Sequence, residues 1–242
     1  MKEIQAIFFD AGGTLFEVNG SVGEIYSRFA RRYSIELDPE TLTAAFLSSF
    51  REQPPLAFPR GTPEIELHGL EYDWWRRLVI DVVSDFPQFD DFFAEVYEYF
   101  RRREAWVMFD DVIPTLTALK DHGLRLGIIS NYDSRIDDLL RAFEIESYFD
   151  GIHVSSRSGV AKPDEKIFRA ALSYHRVEPQ NALHVGDNLR EDVEGALLAG
   201  MRGVLLDRNS RVGLSDELIR IGSLIELIGL GKPPQKSQKY IK

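Results

Sequence analysis

Short apolar runs that alternate with helical stretches constrain the fold of this chain more than any other feature. The first run spans residues 4–9, and four later runs span 124–130, 151–155, 182–185 and 203–206. Helical patterns accompany the later runs, at 112–121, 135–143, 165–173, 191–199 and 215–227. A strand followed by a helix, repeated along the chain, is typical of a parallel sheet with helices on both faces. The sequence therefore predicts an α/β fold.

A long helical insert separates the first apolar run from the others. Helical patterns occur at 23–33, 40–51, 72–84 and 92–103, and a proline-rich loop at 54–63 interrupts them. The residues 16–105 show no pattern of a buried strand. We therefore predict a core made of residues 1–16 and 106–230, and an inserted α-helical cap at 17–105 that lies over one edge of the sheet. Residues 231–242 are expected to form a disordered tail.

The composition excludes several classes of protein. The 242 residues include no cysteine, which excludes disulfides, thiolate metal sites and a cysteine nucleophile. A net charge of −10 argues against a general binder of nucleic acid or of an anionic membrane surface, because both need a basic face. No apolar run reaches the roughly 20 residues of a membrane span. The apolar run at the start of the chain is too short for a signal peptide, and the segment is too acidic. A cytoplasmic location is therefore predicted.

Polar side chains follow the predicted core strands where each strand ends. Asp10 comes directly after the first run, Ser130 ends the second, Lys162 lies beyond the third, and Asp187 follows the fourth. Ligands of open parallel sheets bind beyond the carboxyl ends of the strands. We therefore expect these four side chains to lie close together.

Such a set of groups suits phosphoryl transfer through a covalent intermediate. A carboxylate such as Asp10 can act as the nucleophile and form an acyl phosphate. A divalent cation is then needed between two anions, and Asp10 and Asp187 can hold Mg²⁺ with water and a backbone carbonyl. Lys162 and the Ser130 hydroxyl can hold the phosphate oxygens. The glycines after Asp10 leave backbone N–H groups free to approach the anion.

In order and spacing, these segments resemble those of the haloacid dehalogenase (HAD) superfamily. The matching segments are 10–15, 130–133, 159–164 and 186–192. The resemblance implies a Rossmann-like core, an aspartyl nucleophile and usually Mg²⁺. An insert directly after the first segment is similar to the helical C1-type cap of the superfamily. The cap segment at residues 73–79 is similar to that of one branch of the superfamily, the rhythmically-expressed-gene-2-like branch, which is named after an insect gene.

The resemblance also implies a role for each matching residue. Asp10 corresponds to the nucleophile, and Ser130 and Lys162 correspond to the residues that contact the phosphoryl group. Gly13 and Asn131 are the predicted substrate-binding residues. The predicted metal site comprises Asp10, the Gly12 backbone carbonyl, Asp187 and, as a second acidic member, Asp192.

One position departs from the pattern of the phosphatases in this superfamily. They usually read Asp-x-Asp-Gly-Thr, in which the second Asp is the general acid, and Gly12 stands at that position here. Loss of a positioned acid typically costs ~10²–10⁴-fold in rate. Three outcomes fit: another residue such as Glu17 or a cap residue supplies the proton, the substrate has a good leaving group, or turnover is very low.

The favoured function is a Mg²⁺-dependent phosphatase of a small phosphorylated metabolite, with an aspartyl-phosphate at Asp10. One alternative is a HAD-fold binding protein with little or no catalysis. A second alternative is a 2-haloacid dehalogenase, since those enzymes also lack the second Asp and resemble this chain at Ser130-Asn131. The acidic pair Asp187 and Asp192 is more similar to the pattern of the phosphatases. The oligomeric state stays open.

Overall fold

The computed structural model describes residues 3–84, 86–209 and 218–230. Within them, six parallel strands form one sheet in the order β5-β4-β1-β6-β7-β8. The strands of this sheet are β1 (Ala6–Phe9), β4 (Arg125–Ser130), β5 (Gly151–Val154), β6 (Ala182–Gly186), β7 (Arg202–Leu206) and β8 (Ile219–Ile221). Two further strands, β2 (Phe16–Val18) and β3 (Trp106–Met108), pair with each other in antiparallel fashion.

Strand β1 lies at the centre of the sheet, paired with β4 on one side and β6 on the other. All four of its residues are buried, because helices cover both faces. Ile7 and Phe9 belong to the hydrophobic cluster on one face, and Ala6 and Phe8 belong to the cluster on the other. A strand buried on both faces gives a continuous apolar run instead of an alternating one, which explains the sequence of this segment.

Helices of the core cover each face of the sheet. The core helices are α5 (Val112–Asp121), α6 (Ile136–Ala142), α7 (Ser155–Ser158), α8 (Glu165–His175), α9 (Gly195–Leu198) and α10 (Leu227–Leu230). Helices α5 and α6 pack with Ile7 and Phe9 on one face. Helices α8 and α9 pack with Ala6 and Phe8 on the other. The predicted α/β fold with helices on both faces is confirmed.

Two predicted helices of the core differ in the structure, and in the insert the helix predicted at 72–84 begins earlier, at Glu64. The helix predicted at 215–227 is wrong over its described part, which contains strand β8, a short 3₁₀ turn at Leu224–Glu226 and the start of α10. Strand β8 pairs with β7, so the backbone groups of the exposed edge of β7 gain partners. Residues 215–217 lie outside the described residues. The helix predicted at 191–199 begins earlier, as a π-helical segment at Leu189–Glu194 that continues into α9.

The insert between β2 and β3 is helical, as predicted. Its helices are α1 (Val22–Ala30), α2 (Pro39–Glu52), α3 (Glu64–Val83) and α4 (Phe89–Tyr99). Ser21 and Asp38 cap the first two through bonds from backbone N–H groups to their side-chain oxygens. These helices have their own hydrophobic cluster, distinct from the clusters on the two faces of the sheet. Trp74 is buried within the insert, and its indole donates to the backbone oxygen of Pro54 at 2.9 Å.

A short two-stranded ribbon joins the insert to the core. Phe16–Val18 pairs with Trp106–Met108, and this corrects the expectation that residues 16–105 contain no strand. Three residues are too few to show a clear alternation, so the sequence held no usable signal for the ribbon. Each strand of the ribbon lies at a predicted boundary between core and insert. The division at residues 16 and 106 stays a prediction, and the predicted tail at 231–242 lies outside the described residues.

Among the helices of the described ranges, none is both long and apolar enough to cross a lipid bilayer.

Candidate active site

The four predicted site residues lie together at the carboxyl ends of the core strands. Asp10 follows β1, Ser130 is the last residue of β4, and Asp187 follows β6. Lys162 arrives from the loop between α7 and α8, and its Nζ lies 2.8 Å from Asp10 Oδ1. The convergence expected from the parallel topology is therefore present in the structure. The catalytic roles of these residues stay predictions at this point.

Lys162 is the centre of a buried ionic cluster. Its Nζ contacts Asp10 Oδ1 at 2.8 Å and Asp192 Oδ1 at 2.5 Å, and its side chain is only 1% exposed. Burial lowers the pKa of this ammonium, but the charges of Asp10 and Asp192 outweigh that effect and hold the pKa above its usual range. Lys162 is therefore positively charged at neutral pH and in contact with Asp10.

Asp192 has several hydrogen-bond donors around its carboxylate. Besides Lys162, the Nε2 atom of His184 lies 2.9 Å from Oδ1, and the backbone N–H of Asn188 donates to Oδ2 at 3.0 Å. Burial raises the pKa of Asp192, but the Lys162 charge and the His184 contact lower it below its ordinary value. Asp192 is thus a buried carboxylate that orients Lys162. Its predicted place in a metal site stays a prediction.

Asn131 holds the backbone of Lys162. Its Nδ2 atom donates to the Lys162 carbonyl at 3.0 Å, and its Oδ1 atom accepts from the Lys162 backbone N–H at 2.7 Å. The same Nδ2 atom donates to Glu191 Oε2 at 3.0 Å. The structure therefore gives Asn131 a positioning task, and its predicted contact with substrate stays a prediction. Burial raises the pKa of Glu191, whose side chain lines the same cavity.

Asp187 faces the cleft and is accessible to solvent, yet protein surrounds much of its carboxylate. Desolvation, together with the negative charges of Asp10 and Asp192, raises the pKa of Asp187 to about 7. Desolvation and the two neighbouring carboxylates together outweigh the opposing effect of the Lys162 charge on the pKa of Asp187. A divalent cation would offset the negative charge of these carboxylates.

The carboxylates form a set of ligands that suits a hard divalent cation. Asp10, Asp187 and Asp192 each offer an oxygen, and these oxygens lie within 4.8 Å of one another. Mg²⁺ prefers oxygen ligands and is usually held by one or two carboxylates with additional water. The donor set therefore fits the predicted cofactor, and Mg²⁺ stays a prediction.

The two glycines after Asp10 have different reasons to be glycine. Gly13 has a φ of +77°, and a Cβ there would lie 2.5 Å from Asp187 Oδ2, so a side chain would both strain the turn and displace the carboxylate. A Cβ at Gly12 would meet nothing within 4 Å. Gly12 is therefore not required by packing, and its lack of a side chain leaves open space near Asp10.

A second set of contacts ties the insert to the loop that follows Ser130. The Trp75 indole donates to Asp133 Oδ2 at 2.6 Å. Arg135 binds the Asp133 carboxylate through two guanidinium nitrogens, at 2.6 and 3.0 Å. Glu71, buried in α3, accepts from the backbone N–H of Ser134 at 3.0 Å. The insert therefore rests on the segment that carries Ser130 and Asn131.

Several residues of this site escaped the sequence analysis. His184 and Arg135 carry no motif that distinguishes them from ordinary core or loop residues. Asp133 and Glu191 lie within the matching segments 130–133 and 186–192, but the sequence analysis assigned them no role. Only their positions next to predicted site residues, within five positions of Ser130 or Asp187, were a signal. Glu17, the suggested substitute acid, is exposed on β2, and it is not among the residues that line the cavity beside Asp10.

The raised pKa of Asp187 predicts how Mg²⁺ binding depends on pH. Without metal, the folded protein keeps this proton up to about pH 7, whereas the unfolded chain loses it near the ordinary value of 3.8. The folded state then binds more protons than the unfolded state, so this group makes the metal-free protein less stable as the pH rises from about 4 to about 7. Mg²⁺ competes with the proton, so its binding strengthens over the upper part of this range.

We therefore expect millimolar Mg²⁺ to raise the melting temperature, and to raise it more at pH 8 than at pH 6. Thermal unfolding with Mg²⁺ or with chelator at the two pH values measures this. Asp187→Asn, which removes the titrating carboxylate, is expected to abolish the response to Mg²⁺. A melting temperature that stays flat across millimolar Mg²⁺ at pH 8 would count against the metal site.

Comparison with known proteins identifies relatives over most of the chain. Residues 4–200 match the family of haloacid dehalogenase-like hydrolases. The human haloacid dehalogenase-like hydrolase domain-containing protein 3 is 31% identical over 211 residues, which cover 84% of this chain and 82% of the relative. A phosphoserine phosphatase from Thermus thermophilus is 35% identical over 115 residues, which cover 47% of this chain and 46% of that enzyme.

A solved structure shares the whole architecture. The crystal structure of a HAD phosphatase from Thermococcus onnurineus matches this structure with a TM-score of 0.67 and 25% sequence identity. The match covers 94% of this chain and 97% of the other. The likeness therefore includes the helical insert as well as the parallel sheet.

Proposed function

The chain belongs to the family of haloacid dehalogenase-like hydrolases, and we propose that it is a Mg²⁺-dependent phosphatase that acts through an aspartyl-phosphate on Asp10. The observation that carries this proposal is the contact between Lys162 Nζ and Asp10 Oδ1 at 2.8 Å, next to the carboxylate of Asp187. A fixed cation and a second acidic group beside one carboxylate suit that carboxylate for attack on an anionic phosphate. The similarity to a HAD phosphatase supports the same class of reaction.

The proposed reaction has two steps, each carried by residues of this chain. Asp10 attacks phosphorus, so that an oxygen–phosphorus bond forms while the bond to the leaving-group oxygen breaks. Because Lys162 already binds Oδ1, we assign the attack to Oδ2. Water then hydrolyses the acyl phosphate and restores the Asp10 carboxylate. Lys162 and the Ser130 hydroxyl hold the phosphoryl oxygens during both steps and offset the charge that develops on them.

In this proposal Asp10, Asp187 and the Gly12 carbonyl hold Mg²⁺, with Asp192 as the further acidic member. The cation, when bound, lowers the repulsion between the Asp10 carboxylate and the phosphate. Asp192 and Asn131 act on the reaction through Lys162, whose side chain and backbone they hold. The proposed substrate is a small phosphorylated molecule, and the C1-type cap, the proposed branch of the family and a cytoplasmic location remain parts of the same proposal.

Phosphate release from acetyl phosphate tests the proposal directly. The leaving group of acetyl phosphate is acetate, which needs no proton from the enzyme, so the missing side chain at Gly12 does not limit the first step of the reaction. We expect turnover with Mg²⁺ and its loss in chelator. Absence of phosphate release in Mg²⁺ from acetyl phosphate and from a panel of phosphate esters would overturn the proposal.

Gly12→Asp is expected to raise turnover of esters with poor leaving groups by roughly 10–10²-fold. The substitution restores a carboxyl group at the position of the general acid in the family's phosphatases, and a positioned acid contributes up to ~10²–10⁴-fold. The open space around Gly12 accommodates the new side chain. Steady-state rates on an alkyl phosphate measure the gain, with acetyl phosphate as the control that should change little. No gain in a folded variant would indicate that the site no longer positions such a leaving group.

Gly12 also favours a second candidate function, a protein that binds a phosphorylated ligand without turning it over. Ligand-dependent stabilisation without product would support this alternative. The dehalogenase alternative predicts halide release from a short 2-haloacid in chelator, with no requirement for Asp187. Measurement of phosphate and halide release in parallel, with Mg²⁺ and with chelator, separates the three.

A further inference from the structure

A cavity of about 310 Å³ extends from the site into the insert. Asp10, Ser130 and Asp187 line its floor, and these residues come from the core. The upper wall comes from helices α1 to α4 and from β2 and β3. A ligand whose phosphoryl group lies at Asp10 must therefore place its remaining atoms against the insert.

The wall formed by the insert carries no formal charge. Its side chains are aliphatic or aromatic, and examples are Tyr26, Phe93 and Val96, each at most 2% exposed. Of the described residues that this insert contributes to the cavity, none is Lys, Arg, His, Asp or Glu. A charged ligand group would lose its water there without gaining a partner, which is costly.

The polar atoms of this wall are mostly satisfied within the protein. The Trp75 indole donates to Asp133 Oδ2 at 2.6 Å, and the Trp106 indole donates to the carbonyl of Phe100 at 2.9 Å. Burial raises the pKa of the Tyr26 and Tyr97 hydroxyls, so both stay neutral. The wall thus offers neutral phenols and apolar surface.

The cation that lines the cavity from the core side, Arg135, is already neutralised. Its guanidinium binds Asp133 at 2.6 and 3.0 Å, donates to the Tyr97 carbonyl at 3.2 Å, and lies 4.1 Å from the Tyr97 ring centroid. The pair of Arg135 and Asp133 has no net charge. Arg135 is therefore poorly placed to bind a carboxylate or a second phosphate of a substrate.

We propose that the site selects phosphate esters whose organic part is apolar, preferably aromatic, and excludes esters that carry an additional carboxylate or phosphate. This inference rests on the proposed function, since it deepens the substrate class of the same site. The phosphoryl group binds among Asp10, Ser130 and Lys162. The aromatic group lies between the rings of the insert, where apolar burial and ring contacts stabilise it.

Two aryl phosphates test this selectivity. Naphthyl phosphate and phosphotyrosine have leaving groups of similar acidity and aromatic rings, but only phosphotyrosine carries an ammonium and a carboxylate. We expect kcat/KM to be ~100-fold higher for naphthyl phosphate, because the carboxylate of phosphotyrosine would be buried without a partner. Equal or faster hydrolysis of phosphotyrosine or phosphoserine would overturn the inference and leave the proposed phosphatase activity intact.

Binding of phosphonates separates the two proposals. Naphthylmethylphosphonate and the phosphonate analogue of phosphoserine cannot be hydrolysed, so their dissociation constants, measured by calorimetry, report the cavity alone. Tighter binding of the naphthyl compound without hydrolysis of any ester would support the apolar cavity and overturn the proposed function. Failure of the naphthyl compound to bind, or equal binding of the two compounds, would overturn the inference.

A matched pair of variants on α2 locates the effect. Phe50 lines the cavity and is 42% exposed, while Leu47 is 49% exposed on the same helix and does not line it. Phe50→Gln is expected to raise the dissociation constant of naphthylmethylphosphonate roughly tenfold, because an apolar contact is lost. Leu47→Gln is expected to leave it unchanged. Similar effects of the two variants would contradict the assignment of the binding surface.

Discussion

Asp10→Asn abolishes turnover of every phosphate ester that the wild-type protein hydrolyses, with an expected loss in kcat of at least ~10⁴-fold. The amide oxygen is a poor nucleophile and cannot form the acyl phosphate. The substitution also removes the negative charge that Lys162 Nζ contacts at 2.8 Å. Phosphate release from acetyl phosphate in Mg²⁺ measures the loss.

A control of the same chemistry is available at Asp38, which caps helix α2 far along the chain from the site. Its side chain accepts from the backbone N–H of Thr41 at 2.8 Å. Asn caps helices about as well as Asp, so Asp38→Asn is expected to keep both fold and turnover. Circular dichroism checks that Asp10→Asn is folded. Survival of turnover in folded Asp10→Asn would remove Asp10 as the nucleophile.

Lys162→Met is expected to lower the free energy of unfolding by roughly 3–5 kcal/mol, because it leaves the buried carboxylates of Asp10 and Asp192 without their shared cation. The side chains of Lys162 and Asp192 are each 1% exposed and that of Asp10 is 12% exposed, so water cannot replace the lost partner. Denaturant titration in chelator measures the change. Added Mg²⁺ is expected to restore part of the stability, since a cation returns to the cluster.

Lys166→Met provides the matched control for this measurement. Lys166 is the same residue type four positions along the chain, its side chain is 73% exposed, and its Nζ lies 3.7 Å from Asp164. Exposed ion pairs contribute little, so we expect a change within about 0.5 kcal/mol. If Lys162→Met lowered the free energy of unfolding no more than Lys166→Met does, the ionic contacts of Lys162 would not stabilise the fold.

The double variant Lys162→Met with Asp192→Asn identifies which contact accounts for the loss of stability in Lys162→Met. Removal of the Asp192 charge relieves one of the unpaired carboxylates, so the double variant is expected to be more stable than the single Lys162→Met variant. The coupling energy from the four unfolding measurements gives the strength of the pair. Independent, additive effects would contradict the direct contact at 2.5 Å.

The sequence predicted the structure best in segments whose local pattern is typical of a single type of secondary structure. A short apolar run such as residues 6–9 is buried on both faces, so it can be recognised as a central strand without knowledge of its partners. Helix α5 was predicted at 112–121, and the structure has it at Val112–Asp121. The parallel topology then places Asp10, Ser130 and Asp187 at one edge, because the strands that carry them all end there.

Local pattern was insufficient for the short strands. The ribbon of Phe16–Val18 and Trp106–Met108 joins segments far apart in the chain, and neither strand is long enough to show its periodicity. The strand Ile219–Ile221 has apolar residues that also fit a helix, and only its pairing with β7 at the edge of the sheet distinguishes the two. Such pairings depend on which strand edges the rest of the fold leaves available for backbone hydrogen bonds.

The amino-acid sequence by itself determined the class of fold, the helical insert and the identity of the residues around Asp10, because each follows from periodicity or from the order of strands. Only the tertiary structure decided how those residues contact one another and what surrounds them. It placed the Lys162 ammonium between Asp10 and Asp192, raised the pKa of Asp187 to about 7, and gave the cavity beside Asp10 an uncharged wall formed by the insert. Distances, dielectric surroundings and cavity walls arise from packing between distant segments, and no local pattern of residues encodes them.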